Sequence, residues 1–479
     1  MASLSTPDLC IVGAGSSGLA AAEAARRLGA SVVVVEPAEP GGSRHRSGPL
    51  ALRALAASAE AAFLARRAPQ FGVAVDPPDV SIRKVHDHVA GVALLSAKES
   101  NVARLAAADI HVVRAAGVFA DARTLVAGDV EIRAKKFIIA TGTRPVAPDI
   151  AGLSSVPFFT TETIFDNTKR LDHLLILGAG PMGLELALAY RRFGSTVTVV
   201  ETGKLLAHAD SELAAIGLRR LVDEGVVLHE DASVIAVQSR PESIGVALRL
   251  SAGESVTLDV SHILVAGTRV ANLDDLGLPA ARVRRAKLDP AALALSAAFR
   301  TSNPRIFAIG EAAGRPPMPH LAAIEADLVV RAAILGQQVR IDAAAMPRLT
   351  LTDPELAEIG LTEPMARQRF KSAFTVLRLG YDDNGKARAR RDGLGLVKLI
   401  VGPAGKILGA GVVGRDAGEL LALFALAMQA GIPVARLASL PAAYASHADL
   451  ARALGAMAAV DIPASRPERW RLALKRLFP

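Results

Sequence analysis

With 479 residues the chain exceeds what one hydrophobic core ordinarily holds, so two to four domains are expected. Its single cysteine, Cys10, excludes an internal disulfide framework, a CxxC redox motif and a multi-cysteine metal site; no metal is expected, and the chemistry must come from other groups. A formal charge of +8 accompanies only 4% aromatic residues and no basic stripe with interleaved rings, which argues against nucleic acid as a partner, and no uncharged apolar run reaches the length of about 18 residues that spans a bilayer.

Met1 to Asp8 lack a basic start, an apolar stretch and a small-residue cleavage site, so a cytoplasmic protein is expected. Residues 8–18 read as a short buried strand running into a G-x-G-x-x-G turn, followed by an alanine-rich helix over 19–28 and a second strand over 31–36. In that turn Gly13 permits the reversal, Gly15 lets the backbone approach a pyrophosphate beside Ser17, and Gly18 lets helix and strand pack closely. The helix N-terminus adds N–H donors and a positive dipole. Glu36, closing the second strand, is placed to hydrogen-bond a ribose diol.

Lys136 to Pro145 form a further buried strand ending in a glycine turn, with Thr141 and Gly142 positioned to return the chain across a nucleotide. The fingerprint then repeats over 173–183 with Gly178, Gly180, Met182 and Gly183, followed by a helix and the strand 196–201. Glu36 stands 23 positions after Gly13, and Glu201 stands 23 after Gly178. Two dinucleotides are therefore implied. Glu201 repels a 2′-phosphate, which favours NADH, while Lys204 nearby leaves NADPH open. His262 to Arg269 is a second strand ending in a glycine turn, at Gly267, and residues 304–314 place Gly310 and Glu311 beyond another strand end, where a carboxylate can accept hydrogen bonds from a ribityl chain.

In this order the segments resemble the FAD-dependent pyridine nucleotide–disulfide oxidoreductases, the family that contains dihydrolipoamide dehydrogenase, mercuric reductase and soluble transhydrogenase. Residues 351–363 resemble the opening of its C-terminal dimerisation domain, residues 395–401 and 407–419 its central strands and following helix, and His320, Leu321 and Ala322 the helix start that faces the flavin pyrimidine edge. The resemblance implies an α/β chain with two Rossmann-like dinucleotide-binding domains, for FAD and NAD, and a C-terminal α+β dimerisation domain in a homodimer. The expected layout is FAD domain 1–152, NAD(P) domain 153–275, FAD return segment 276–345, dimerisation domain 346–465 and a basic tail 466–479.

The departure from the family lies in residues 41–53. Arg44 and Pro49 occupy the positions of its two redox cysteines, just after Gly42 of the FAD site. Family-type reduction of lipoamide or glutathione is thereby excluded, and Cys10 reads as a packing residue of the first strand. Arg53 stands where the family has a lysine that pairs with a glutamate beside flavin N5, and Glu185 keeps that glutamate. Near the C-terminus Tyr444 falls at the position of the catalytic histidine, as in mercuric reductases, and Asp449 at that of its glutamate. His447 is either a helix-start residue or a proton donor to substrate.

The expected activity is therefore transfer of hydride from NADH to flavin and then directly to a small-molecule acceptor, a quinone or similar, with Arg44, His45 and Arg46 supplying cationic attraction. Soluble transhydrogenase, NADH oxidase and a non-catalytic flavoprotein sensor or interaction partner are the alternatives. The tail reads as a short amphipathic helix, with Trp470, Leu474, Leu477 and Phe478 on one face amid Arg469, Arg471, Lys475 and Arg476. It suits either peripheral membrane contact or packing on the protein itself.

Overall fold

Leu9–Val12 is a four-residue apolar run whose every side chain is buried, the mark of a strand covered on both faces. In the computed structural model, which describes residues 3–41, 47–99, 102–251, 253–315, 318–339 and 346–461, it is the central strand of a parallel five-stranded sheet. The order across that sheet is Ile306–Ala308, Lys136–Ile139, Leu9–Val12, Val32–Val35 and Ile110–Val113. The strand order reverses about Leu9–Val12, so the crevice of this sheet opens where the first fingerprint turn begins. Helices Ser16–Arg27 and Pro319–Leu335 pack together over one face around Ile11, Ile138, Val329 and Val330.

A second parallel sheet repeats the plan in the order Phe159–Thr160, His262–Val265, His173–Leu177, Thr196–Val200, Val227–His229. Here too the fingerprint strand is central, the acid-bearing strand lies on one side and the glycine-turn strand on the other. Helix Pro181–Arg192 follows its turn. The return segments of the two halves are tied by an antiparallel pair, Thr143–Pro145 with Arg269–Ala271. These elements belong to one packing unit, Met1–Gly203 with Gly225–Asp342.

The second unit is Lys204–Glu224 with Ala343–Pro479. Its sheet is antiparallel, in the order Arg348–Thr350, Glu355–Gly360, Ile407–Gly414, Leu396–Val401, Thr375–Gly380. Alternation along the strands assigns two faces. Ala357, Val397, Leu399 and Val412 pack with helices Ala417–Gln429 and Ala448–Asp461, whereas Leu356 and Val413 pack with Leu213 of helix Ser211–Asp223. Gly411 makes room for that helix, since a Cβ there would meet Leu213 Cδ1 at 2.3 Å. The helix lies in sequence between two strands of the second parallel sheet, yet it packs with the C-terminal sheet.

This second face also buries Lys398, 5% exposed at its side chain. Its Nζ lies 2.9 Å from Asp210, 2.9 Å from Glu212 and 3.0 Å from Glu363. Burial alone would depress the ammonium pKa, but the three carboxylates outweigh it and hold the pKa above its ordinary value. Among the described residues no helix is long and apolar enough to cross a membrane.

Candidate functional site

The two fingerprint turns have the same geometry. Gly13 has φ +108° and Gly178 φ +105°, a region L side chains rarely adopt. The third glycine of each turn is required by space: a Cβ on Gly18 would meet Gly13 O at 2.0 Å, and one on Gly183 would meet Gly178 O at 2.3 Å. The middle glycines, Gly15 and Gly180, have nothing within 4 Å of that direction, so the open side of each turn is free for a ligand. Ala14 N donates to Glu36 Oε2 at 2.8 Å, and Ala179 N to Glu201 Oε2 at 2.8 Å. Glu36 Oε1 also accepts from Ala38 N at 3.0 Å, and Glu201 Oε1 accepts from the Thr202 hydroxyl at 3.2 Å. Each carboxylate is thus oriented by its own turn and retains lone pairs for sugar hydroxyls.

The predicted residues Gly15, Ser17, Gly142, Gly310, Glu311, Leu321 and Ala322 line one cavity, joined by Ala140, Met318 and Glu325. Gly310 is crowded against Ser17, whose Oγ would lie 2.3 Å from an added Cβ. Two buried polar atoms have no hydrogen-bond partner among the described residues: Glu325 Oε2 in this cavity, and Oγ1 of Thr141, which stands between the lining residues Ala140 and Gly142. Buried polar atoms are ordinarily paired, so these orphans, the open middle glycine and the helix N-terminus form a donor and acceptor set that fits a dinucleotide. His320, at the start of helix Pro319–Leu335, is exposed while its neighbours Leu321 and Ala322 are buried.

Between the two turns, Arg269 donates to Thr143 Oγ1 at 2.8 Å, Thr143 O at 2.9 Å and Glu162 Oε1 at 2.9 Å. Asn272 donates to Thr141 O at 3.0 Å, fixing the Thr141–Gly142 turn. In the second turn Met182 is half-buried on its helix, and Gly267 packs so closely that a Cβ on Gly178 would meet its Cα at 2.6 Å.

Pro49 opens helix Pro49–Arg67, a position that suits proline because the first helical N–H has no intrahelical partner. That helix packs against Pro181–Arg192, where Arg192 stacks over Phe63 at 3.9 Å. Arg53 is exposed on the first helix and Glu185 buried on the second. Gly41 N donates to Ala14 O at 2.6 Å, which brings the start of the 41–53 stretch to the first turn. Gly42, Arg44, His45 and Arg46 lie outside the described residues, as does the tail 466–479.

The three C-terminal residues have different surroundings. Tyr444 is 90% exposed. Asp449 accepts from Arg452 Nε at 2.7 Å within its own helix. His447 immediately precedes helix Ala448–Asp461, its ring buried beside Tyr381 and its Nδ1 3.4 Å from Asp416. Burial, with Lys386 nearby, pulls its pKa below the ordinary value despite Asp416. Cys10 is fully buried in the first strand, and burial pushes its thiol pKa strongly upward. Among the described residues no group of three or more His, Cys, Asp or Glu could hold a metal ion.

Sequence reasoning missed Glu325, Arg315, Arg269 and Asn272. Glu325 had a signal, a carboxylate within the apolar helix sequence PHLAAIEADLVVRAAIL. The others act across more than 100 positions or lie in turns, where no local pattern marks them.

Residues 7–326 match the family model of the pyridine nucleotide-disulphide oxidoreductases, and residues 346–452 that of their dimerisation domain. The chain is 33% identical over 448 residues to a mercuric reductase of Streptomyces lividans, covering 90% of this chain and 92% of that protein. It is 30% identical over 440 residues to a dihydrolipoyl dehydrogenase of Geobacillus stearothermophilus, covering 89% and 90%. The fold is that of the HOCl-induced flavoprotein disulfide reductase RclA from Escherichia coli, with a TM-score of 0.81, 23% identity, and coverage of 94% and 99%. Paired fingerprints, a cavity at the first of them and an antiparallel C-terminal sheet agree with these matches: the chain belongs to the pyridine nucleotide–disulphide oxidoreductase family, a family of flavoproteins that use FAD and NAD(P)H.

Proposed function

We propose that this flavoprotein is an NADH:acceptor oxidoreductase that works without a redox-active disulfide and passes electrons directly to a quinone or a similar small two-electron acceptor. The observation that carries this reading is the cysteine inventory. A disulfide needs two sulfurs, and the chain's one thiol is sealed in a central strand with its pKa raised, neither accessible nor a thiolate.

FAD, when bound, accepts a hydride from reduced nicotinamide and delivers two electrons to a second substrate. The first turn, with Gly13, Gly15, Ser17 and Gly18, would hold the FAD diphosphate at the N-terminus of Ser16–Arg27, and Glu36 its ribose. Thr141, Gly142, Gly310 and Glu311 would serve the ribityl side, with the start of helix Pro319–Leu335 toward the ring. The second turn, with Gly178, Gly180, Met182, Gly183 and Gly267, would hold the nicotinamide dinucleotide, and Glu201 would disfavour a 2′-phosphate. Arg53 and Glu185 would position the reacting edge, and Arg44, His45 and Arg46 would attract an anionic acceptor.

The match of residues 346–452 to a dimerisation domain supports a homodimer in which Tyr444, His447 and Asp449 serve the partner's site. Residues 466–479 would seat the protein peripherally on anionic lipid. The function is tested by steady-state assay with NADH against a panel of quinones, dioxygen, oxidised lipoamide and oxidised glutathione. Rapid turnover with a quinone and none with the disulfides is expected; turnover with lipoamide on the order of 10 per second would refute the proposal.

A further inference from the structure

Helix Pro319–Leu335 is apolar over most of its length, and a carboxylate at Glu325 runs against that pattern. Its side chain is 1% exposed. The two oxygens have unequal surroundings. Oε1 accepts from Arg315 Nε at 2.5 Å, while Oε2 is buried without a hydrogen-bond partner among the described residues. Arg315 is itself steadied over the Phe299 ring, 5.6 Å from its centroid. Glu325 lines the cavity shared by Gly15, Ser17, Gly310 and Glu311.

A half-satisfied buried carboxylate is costly to keep unless something else completes it. The completing group must donate a hydrogen bond, since an ionised carboxylate only accepts. A diphosphate cannot serve, because its oxygens are acceptors and carry like charge. Glu36 stands at the ribose side of the first turn, so the cavity running from Gly15 to Glu311 belongs to the other side of the diphosphate, where FAD carries its hydroxyl-bearing ribityl chain.

Resting on the reading that this unit holds FAD, we infer that Glu325 is a binding residue for that cofactor: Oε2 accepts a hydrogen bond from a ribityl hydroxyl, and Arg315 fixes the carboxylate in place for it. The alternative role is a plain structural ion pair with Arg315, which would not discriminate among ribityl hydroxyls.

The test pairs variants of Glu325 with FAD analogues deoxygenated at one ribityl carbon. Flavin-depleted full-length protein is titrated with FAD and with the 2′-, 3′- and 4′-deoxy analogues, and Kd is read from flavin fluorescence. Wild-type protein is expected to bind one analogue about tenfold more weakly than FAD, the size of one hydrogen bond to a charged group. Glu325→Ala is expected to bind FAD about tenfold more weakly than wild type does and to lose the discrimination against that analogue. Glu325→Gln keeps the shape and one acceptor oxygen, so it should lie between the two, and it carries the same comparison should the alanine variant fail to fold. Equal discrimination by wild type and both variants on all three analogues overturns the inference. Wild-type protein that takes up no FAD at all would instead overturn the underlying reading, an outcome visible before any analogue is used.

Discussion

The amide of Ala14 donates to the carboxylate of Glu36 at 2.8 Å, and the same bond at the same length joins Ala179 to Glu201 in the second half. In each copy the acid at the end of one strand is held by the glycine turn that follows its neighbour. The turn proposed to hold a diphosphate and the carboxylate proposed to read its ribose are thus hydrogen-bonded into one unit, used twice.

In the proposed role of Glu201, Glu201→Ala removes both an acceptor for ribose hydroxyls and a charge that would face a 2′-phosphate. The ratio of kcat/KM for NADH over NADPH is expected to fall by roughly tenfold or more, the size of a charge-assisted hydrogen bond. An unchanged or larger ratio would show that another group reads the ribose.

The glycines of the first turn separate fold from function. Gly15 has φ −72° and open space at its Cβ direction, so Gly15→Ala should leave the melting temperature of the flavin-free protein unchanged while weakening FAD binding. Gly18→Ala forces a methyl to within 2.0 Å of a backbone oxygen and should destabilise the protein by roughly 3 kcal/mol or more, with or without flavin. Equal loss of stability in both variants would contradict this division.

Both fingerprints and the strands that flank them were legible because their signals are local, an apolar run, a glycine turn and an acid 23 positions on, whereas the edge strands Ile110–Val113, Phe159–Thr160 and Val227–His229 carry no such signal. The C-terminal strands 396–401 and 407–414 were likewise visible, through family resemblance. What the chain order hid was the docking of helix Ser211–Asp223 on the C-terminal sheet. That choice is made by Lys398 and Asp210, 188 positions apart, and by the gap that Gly411 leaves for Leu213. The Arg315–Glu325 pair was hidden differently, since Glu325 and Asp327 in a mostly apolar helix both read as an exposed face until the burial of Glu325 is seen.

Lys398→Met leaves Asp210 buried without its cation, while Arg378 still bridges Glu212 and Glu363. A loss of about 3–5 kcal/mol is expected, read as an earlier unfolding transition of the C-terminal unit. The hydrogen bond from Lys398 holds the Glu363 carboxyl below its ordinary value of 4.5, so its stabilisation is complete at neutral pH and fades as pH falls through the acid range below 4.5. Glu358, pushed above 4.5 by burial, works in the opposite sense and loses its share as pH rises past that value. The gap between wild type and Lys398→Met should therefore narrow on acidification, and a gap independent of pH would remove the ionic cluster as its cause.

The basic tail is tested by sedimentation with anionic liposomes at low salt. Intact protein should pellet, and protein lacking residues 466–479 should stay in solution with the proposed NADH:acceptor activity unchanged. Equal sedimentation of the two forms would refute lipid binding by the tail.

The central claim is that electrons pass through the flavin alone. Anaerobic titration of the purified holoprotein with dithionite counts the electrons it can store. A flavin with no partner disulfide takes up two per FAD, and that is the expected end point, reached without a long-wavelength thiolate charge-transfer band; an end point of four electrons per FAD would mean that a second redox centre exists and would contradict the account.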